Sequence, residues 1–457
     1  MGGTSGGGAG GGAGTTAGTG NLGGSAGVAG SDPSGGAAGG SNDPALVGAP
    51  LLFNPTASSF GINVVAFGNV GGVRARVRSW GATEWGPALV PELRAADALE
   101  WTVSNLSPST RYEYEIFEEA MERRTLFTGS VTTARPPGES FKFAVVTDTH
   151  IPPREVAPGE VATVNDFESV MAFVANDISV FSPEFIVNLG DMLDFHMFGF
   201  NQPPPDKSWT RLGYLNYRRL YGDLLGSTPH FTVIGNWDGE NGCNTEEEIE
   251  RSRSQRLIYL PGPEPDTYPE SGSELEDYYA FTWGDALFVV LNVMTYTPTC
   301  HNLSIDPGVP DDWTLGEAQL DFLRTTLEGA TSKWRFLLIH HAVGGAAGDL
   351  ANSAYGRGGG QAARVGEQSV VHDLMLEHGV QIFFYGHDHV FTNMVVDGIH
   401  YMLPGSAGAP WKFETIETGY TTYWTDSGYA AVNVSPDAVD VDFVSMGGVV
   451  LESYRVE

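Results

Sequence analysis

The 457-residue sequence predicts an α/β protein whose layers are built around packed sheets, preceded by a small all-β sandwich and a glycine-rich N-terminal stretch. Three observations carry this reading. Apolar strand runs alternate with helix-length segments after Gly138, short period-two runs fill residues 45–137, and residues 1–44 lack periodicity altogether.

Nearly half of the first 40 residues are glycine, mixed with Ala, Ser and Thr, and no charged side chain precedes Asp32. Such a segment buries too little apolar surface to offset chain entropy, so residues 1–44 read as a disordered tether. Met1 runs straight into glycines, without the basic and apolar regions of a signal peptide. A neutral tether of this composition commonly follows a removed export signal. An extracytoplasmic location is therefore expected, whether secreted, periplasmic or held by a cell-envelope tether, with an intracellular linker as the alternative.

Within residues 45–137, Gly61 to Phe67 and Val73 to Arg78 include the apolar–polar alternation of half-buried strands. Arg111 to Ile116 repeats it behind the turn residues Leu106-Ser107-Pro108-Ser109-Thr110, Thr125 to Thr133 makes a last strand, and Arg135-Pro136-Pro137-Gly138 ends the unit. Short strands with turn signals over roughly 90 residues predict a β-sandwich. The run Leu106-Ser107-Pro108-x-Thr110-x-Tyr112-x-Tyr114 resembles the corner of a fibronectin type III module. With no cluster of His, Asp or Cys, its expected role is structural, substrate gating and carbohydrate contact being the alternatives.

Residues 138–457 follow a strand–loop–helix grammar. Buried-strand runs stand at 141–146, 185–189, 231–234, 287–291, 335–339 and 381–385, with helices expected at 166–175, 317–327 and 367–378. Five of the six strands lead directly into metal-binding residue types: Asp148-Thr149-His150, Gly190-Asp191-Met192-Leu193-Asp194, Gly235-Asn236-Trp237-Asp238, His340-His341 and Gly386-His387-Asp388-His389. Carboxyl ends of strands share one edge of an open α/β sheet, where ligands bind, so five distant loops converge. The i, i+2 spacing of Asp148/His150 and His387/His389 can direct both side chains to one side of an extended segment. A lone Gly-Asp or His-x-His is most often a turn or a satisfied core histidine; five in order, each at a strand end, point to a metal site.

This series of motifs resembles the calcineurin-like metallophosphoesterase superfamily, and a sandwich in front of it is similar to the layout of plant-type purple acid phosphatases. The resemblance covers about residues 139–457. It implies a four-layer α/β/β/α sandwich holding two metal ions, drawn from Fe, Zn or Mn, and hydrolysis of phosphate monoesters or diesters. It places Asp148, His150 and His389 on the first ion, Asn236, His340 and His387 on the second, and Asp191 across both. Imidazole and carboxylate suit these metals, and two ions roughly 3.5–4 Å apart can activate a bridging water for in-line attack on phosphorus. Asp194 is expected to orient His150 or a water rather than to bind metal.

Two departures from the family pattern stand out. Purple acid phosphatases carry a tyrosine where Asp194 stands, so no purple chromophore is expected. The usual Gly-Asn-His is here Gly-Asn-Trp, and Trp237 has one indole N–H but no proton to transfer near neutral pH. His341 and His196 are the candidate replacements as proton donor. Asn236, Trp237 and Arg357 are the candidate substrate contacts, Arg357 lying in the glycine-rich loop after the His-His strand and reading equally as a solvated surface residue.

Composition narrows the partners. Lys plus Arg number 24 and Asp plus Glu 56, a formal net charge of −32, which repels nucleic acid and anionic membranes. No apolar run is long enough to span a bilayer. A phosphate ester remains compatible, since bound cations invert the local field. Cys243 and Cys300 allow one bridge or two free thiols. The competing function is a non-catalytic protein that binds metal or a phosphorylated ligand in an adhesive role, favoured by Trp237 and opposed by the complete ligand series.

Overall fold

Alternation along strand Phe141–Val146 sets the architecture, because its two faces are buried against different partners. Phe143 and Val145 point into a core shared by two sheets, whereas Ala144 and Val146 point to helices. In this computed structural model, which describes residues 43–154, 167–194, 207–241, 244–296, 314–341, 367–409, 420 and 422–457, that strand runs parallel to Phe185–Asn188 and His230–Thr232. Gly428–Val434, Val439–Ser445 and Val449–Val456 complete this six-stranded sheet antiparallel. A second six-stranded sheet has parallel strands Ala286–Val290, Trp334–Leu338, Ile382–Phe384 and Ile399–Pro404, with Tyr279–Trp283 and Phe391–Val396 antiparallel at its edges.

The inner faces of the two sheets meet in an aromatic core. Phe143 stacks on Phe185 at 5.3 Å and Phe281 on Phe288 at 4.7 Å. Each such ring contributes roughly 1.5–3 kcal/mol by burial. Outside the first sheet, helices Phe167–Phe181 and Lys207–Tyr221 supply Met171, Val174, Ile178, Tyr214 and Tyr217 to a second core. Gly316–Gly329 and Glu367–Glu377 cover the other sheet through Leu323, Leu327, Val371 and Met375. The result is the expected α/β/β/α order of layers.

Residues 45–132 form two facing antiparallel sheets around a separate core that includes Ile62, Val64, Trp101, Tyr114 and Ile116. The Tyr112 hydroxyl accepts the Ser107 N–H at 2.9 Å, pinning the chain ahead of strand Arg111–Glu118. This sandwich is bonded to the α/β layers. Fully buried Arg218, on helix Lys207–Tyr221, donates to Asn63 Oδ1 (2.6 Å), Asn63 O (2.8 Å) and Tyr259 O (3.1 Å). Burial pulls its pKa down to about 10, so it stays charged at neutral pH. Tyr114 donates to Gly226 O at 2.7 Å, and Arg211 pairs with Asp97.

The predicted strands recur within two residues of their expected bounds. The run expected at 231–234 is shifted to His230–Thr232, and helix 166–175 continues to Phe181. Helices Lys207–Tyr221 and Glu246–Tyr259 were not predicted. The second buries Ser252, Gln255 and Arg256 and shows no clean apolar stripe, whereas the first carries Tyr214, Tyr217, Leu220 and Tyr221 at helical spacing, a signal present in the sequence. His196, Arg357, Cys243 and Cys300 lie outside the described residues.

Candidate metal centre

The five motif-bearing loops leave the carboxyl ends of strands in both sheets, three from the first and two from the second, rather than one shared edge. The backbone is bent to bring them together. Asp148, His150, Asp191, His387 and His389 all have positive φ, between 48° and 79°. Few non-glycine residues adopt this region, and their clustering marks a place where surrounding structure holds the chain in costly conformations. Gly190 (φ 103°) and Gly235 let two of the loops touch: a Cβ on Gly235 would land on the Asp191 backbone nitrogen.

Ligand-type atoms of Asp148, His150, Asp191 and His389 lie within 4.8 Å of one another, as do those of Asp191, His340 and His387. Asp191 belongs to both groups. Its Oδ1 accepts the Trp237 N–H at 2.7 Å, leaving Oδ2 3.5 Å from His150 Nε2 and 3.2 Å from His340 Nε2. Asn236 Oδ1 lies 3.1 Å from His340 Nε2 and 2.9 Å from His387 Nδ1. In the other group His150 Nε2 and His389 Nε2 stand 3.3 Å apart, and His389 Nε2 is 3.1 Å from Asp148 Oδ1.

The chemistry of these donors fits a cation. His340 Nδ1–H donates to Leu189 O at 2.9 Å, so in the neutral ring Nε2 turns a lone pair toward Asp191 Oδ2 and Asn236 Oδ1, both acceptors. Such an arrangement requires a proton or a metal ion between acceptors. Burial opposes charge on His340, yet the Asp191 carboxylate outweighs it and holds the pKa up at about 9. Asp148 is likewise penalised by burial, but His389 and the hydrogen bonds from His150 and His389 keep its carboxyl well below the ordinary range. Among the described residues, the ion pairs of these two buried aspartates are all with histidines. A buried His/Asp cluster of this kind is a metal-binding site.

Supporting contacts fix the first layer of side chains. Thr147 Oγ1 donates to Asp148 Oδ2 at 2.7 Å, and the His387 N–H donates to the same oxygen at 3.0 Å. Asp238, part of the Gly-Asn-Trp-Asp motif but given no role from sequence, proves central. Its Oδ2 accepts the N–H groups of Asp191 (3.0 Å) and Gly235 (2.8 Å), and its Oδ1 that of Leu193 (3.0 Å). One buried carboxylate thus ties the Gly-Asp loop to the Gly-Asn loop. Burial and then the nearby Asp191 charge push its pKa up to about 7. Behind that loop Glu240 and Arg256 form a fully buried ion pair. Asp388 accepts from Tyr420 (2.6 Å), which accepts from Tyr385 (3.1 Å), anchoring the Gly-His-Asp-His turn in the core.

The remaining predicted residues fall as follows. Asp194 is buried beside the cluster, where its charge favours protonated His150. His341 is buried with its ring 4.3 Å from that of His387. Trp237 is half-buried, its indole meeting the His150 ring edge-on at 5.0 Å.

The sequence model of the calcineurin-like phosphoesterase family matches residues 141–391, more than half of the chain. No curated protein matches the chain in sequence. Among solved structures, the chain is similar to PhoD, with 15% identity and a TM-score of 0.67 over 90% of this chain and 88% of that one. It is also similar to purple acid phosphatase PPD1 from yellow lupin (Lupinus luteus) seeds, with 13% identity and a TM-score of 0.63 over 90% of this chain and 74% of that one. At these identities the likeness concerns the fold, and the family match carries the assignment. The chain belongs to the calcineurin-like phosphoesterase family and is, by that membership, a phosphoester hydrolase.

Proposed function

We propose that the protein is a two-metal phosphoesterase acting on phosphate monoesters, diesters or both. The carrying observation is Asp191 Oδ2, which lies between His150 on one side and His340 on the other. In this reading Asp148, His150 and His389 hold one ion, Asn236, His340 and His387 the other, and Asp191 touches both. Bound Fe, Zn or Mn would supply Lewis acidity toward phosphoryl oxygens and acidify a water to serve as nucleophile. The chain's own residues do the orienting. Thr147, Asp238 and the Leu189 carbonyl fix Asp148, Asp191 and His340 before substrate arrives.

Asn236 and Trp237 sit half-buried at the rim and are proposed as substrate contacts, with Arg357 as a further clamp. Because Trp237 cannot protonate a leaving group, His341 is proposed as proton donor and His196 as its alternative. Asp194 positions His150. Trp237 is the one observation that favours a binding-only descendant, and the intact set of seven ligand residues outweighs it. Residues 45–137 are proposed as a fibronectin type III-like module on the strength of the Ser107–Tyr112 corner, residues 138–457 as the phosphoesterase domain, and residues 1–44 as the tether of an exported protein.

The test is hydrolysis of an aryl phosphate monoester and of the matching diester by chelator-treated protein, before and after adding back Zn²⁺, Mn²⁺ or Fe²⁺. Metal-restored release of the phenol from at least one ester is expected. Hydrolysis that is untouched by chelation, or absent with every metal, would refute the proposal.

A further inference from the structure

At the end of strand His230–Thr232 remote from Asn236, the loop carrying Asp223, Gly226 and Ser227 faces the sandwich across a cleft of about 480 Å³. That size is in the range of small-ligand sites. The cleft is separate from the metal centre, since one end of the strand leads into each.

Its lining is unusual for this acidic chain. Trp80, 52% exposed, is held in place by the Arg111 guanidinium, 3.5 Å above its ring. Arg111 also donates to Ser130 Oγ at 3.0 Å. Trp85 carries Arg78 at 4.2 Å and Arg76 at 4.6 Å, and Arg78 is further fixed by Glu113 at 2.6 Å. Cation–π stacking and ion pairing therefore immobilise two indoles and three planar polar groups before any ligand binds. Of the lining residues, Arg78 and Arg111 are balanced by Glu113 and Asp223, and Arg76 behind Trp85 pairs with Glu115, so the cleft wall is neutral although the chain carries −32.

With two guanidiniums matched by two carboxylates, the wall offers no net attraction to an anion or to a cation. What remains is a neutral amphipathic ligand with an apolar face for indole and closely spaced hydroxyls for planar donors and acceptors. From this geometry we propose that the cleft is a carbohydrate-binding site for a neutral oligosaccharide. Pyranose rings present a C–H face that can lie against the indole surface left open by the guanidinium stack on Trp80, which is 52% exposed. Their hydroxyls can pair with the donors that Arg111 has left beyond its bond to Ser130, and with the Ser130 hydroxyl and the Glu113 carboxylate. Rigid aromatic and planar side chains lose little conformational entropy on binding, which favours affinity at a shallow site.

The experiment is calorimetric titration of the full chain with neutral hexasaccharides (cello-, xylo-, manno-, malto- and chito-oligomers) and with polygalacturonate as the charged arm. Saturable binding of at least one neutral hexasaccharide is expected. Trp80→Ala and Arg111→Ala should each raise its Kd about tenfold, the scale of one aromatic contact, while Trp80→Phe retains part of the affinity. Asp191→Asn should leave binding unchanged. Aryl phosphate turnover at the wild-type rate by Trp80→Ala would establish that this variant is folded. No neutral sugar binding at millimolar concentration, binding indifferent to Trp80→Ala, or binding of polygalacturonate alone would overturn the proposal.

Discussion

Replacing Arg256 by Met probes how the Gly-Asn loop is held. Arg256 donates to Glu240 Oε1 at 2.6 Å and Oε2 at 3.2 Å, and to the carbonyls of Leu275 (2.7 Å) and Glu276 (3.1 Å). Both side chains of the pair are fully buried. Burial opposes charge on Arg256, but Glu240 reverses the effect and raises its pKa. Methionine fills similar volume yet strands Glu240, whose other ion pair among the described residues is a 3.4 Å contact with Arg253. Leaving such a charge costs about 3–5 kcal/mol, whereas replacing both partners by apolar groups is often near neutral. Urea-induced unfolding should therefore show a loss of about 3–5 kcal/mol for Arg256→Met and recovery of at least about 2 kcal/mol in the double variant with Glu240→Leu. A single variant within about 1 kcal/mol of wild type, or a double variant no more stable than the single, would refute the reasoning.

Three further outcomes are expected. Asp238→Asn must turn its amide toward at least one backbone N–H, so metal affinity should fall about 10–100-fold, measured by competition with a chromogenic chelator. Burial lowers the His230 pKa from 6.5 to about 3, so the folded state stays neutral while the unfolded chain gains a proton below pH 6.5. Stability should thus drop by about 2 kcal/mol from this group between pH 7 and pH 5, a drop that unfolding curves of His230→Gln should lack. Turnover should fall steeply from aryl to alkyl phosphates, and His341→Ala should depress alkyl turnover further, by up to about 10²–10⁴-fold if it is the acid; a flat leaving-group dependence in both proteins would remove His341 from that role.

The cluster was legible because its His, Asp and Asn residues are chemically distinctive and each follows a strand that alternation or apolarity reveals. Asp148, His150, Asp191, Asn236, His340, His387 and His389 lie together in one cluster, although their loops leave two sheets and not the single edge that the motifs suggested. What held them was not legible. Asp238 acts through backbone N–H groups of residues 191, 193 and 235, and no spacing rule exposes such contacts. Helix Glu246–Tyr259 escaped because its buried face is polar, although the Thr245-x-x-Glu248 capping box was readable at its start. The Trp80–Arg111 stack joins residues 31 apart across two neighbouring strands of one sheet, a pairing that strand register creates.

Metal content per chain, determined by plasma mass spectrometry on wild type and Asp191→Asn, tests the central claim most directly. Asp191 Oδ2 faces both halves of the cluster, so its replacement should weaken both positions at once. The expected result is about two ions per wild-type chain, most of them lost from Asp191→Asn together with phosphate ester hydrolysis. A single ion in the wild type, or an Asp191→Asn variant that keeps its metal and its activity, would contradict the account.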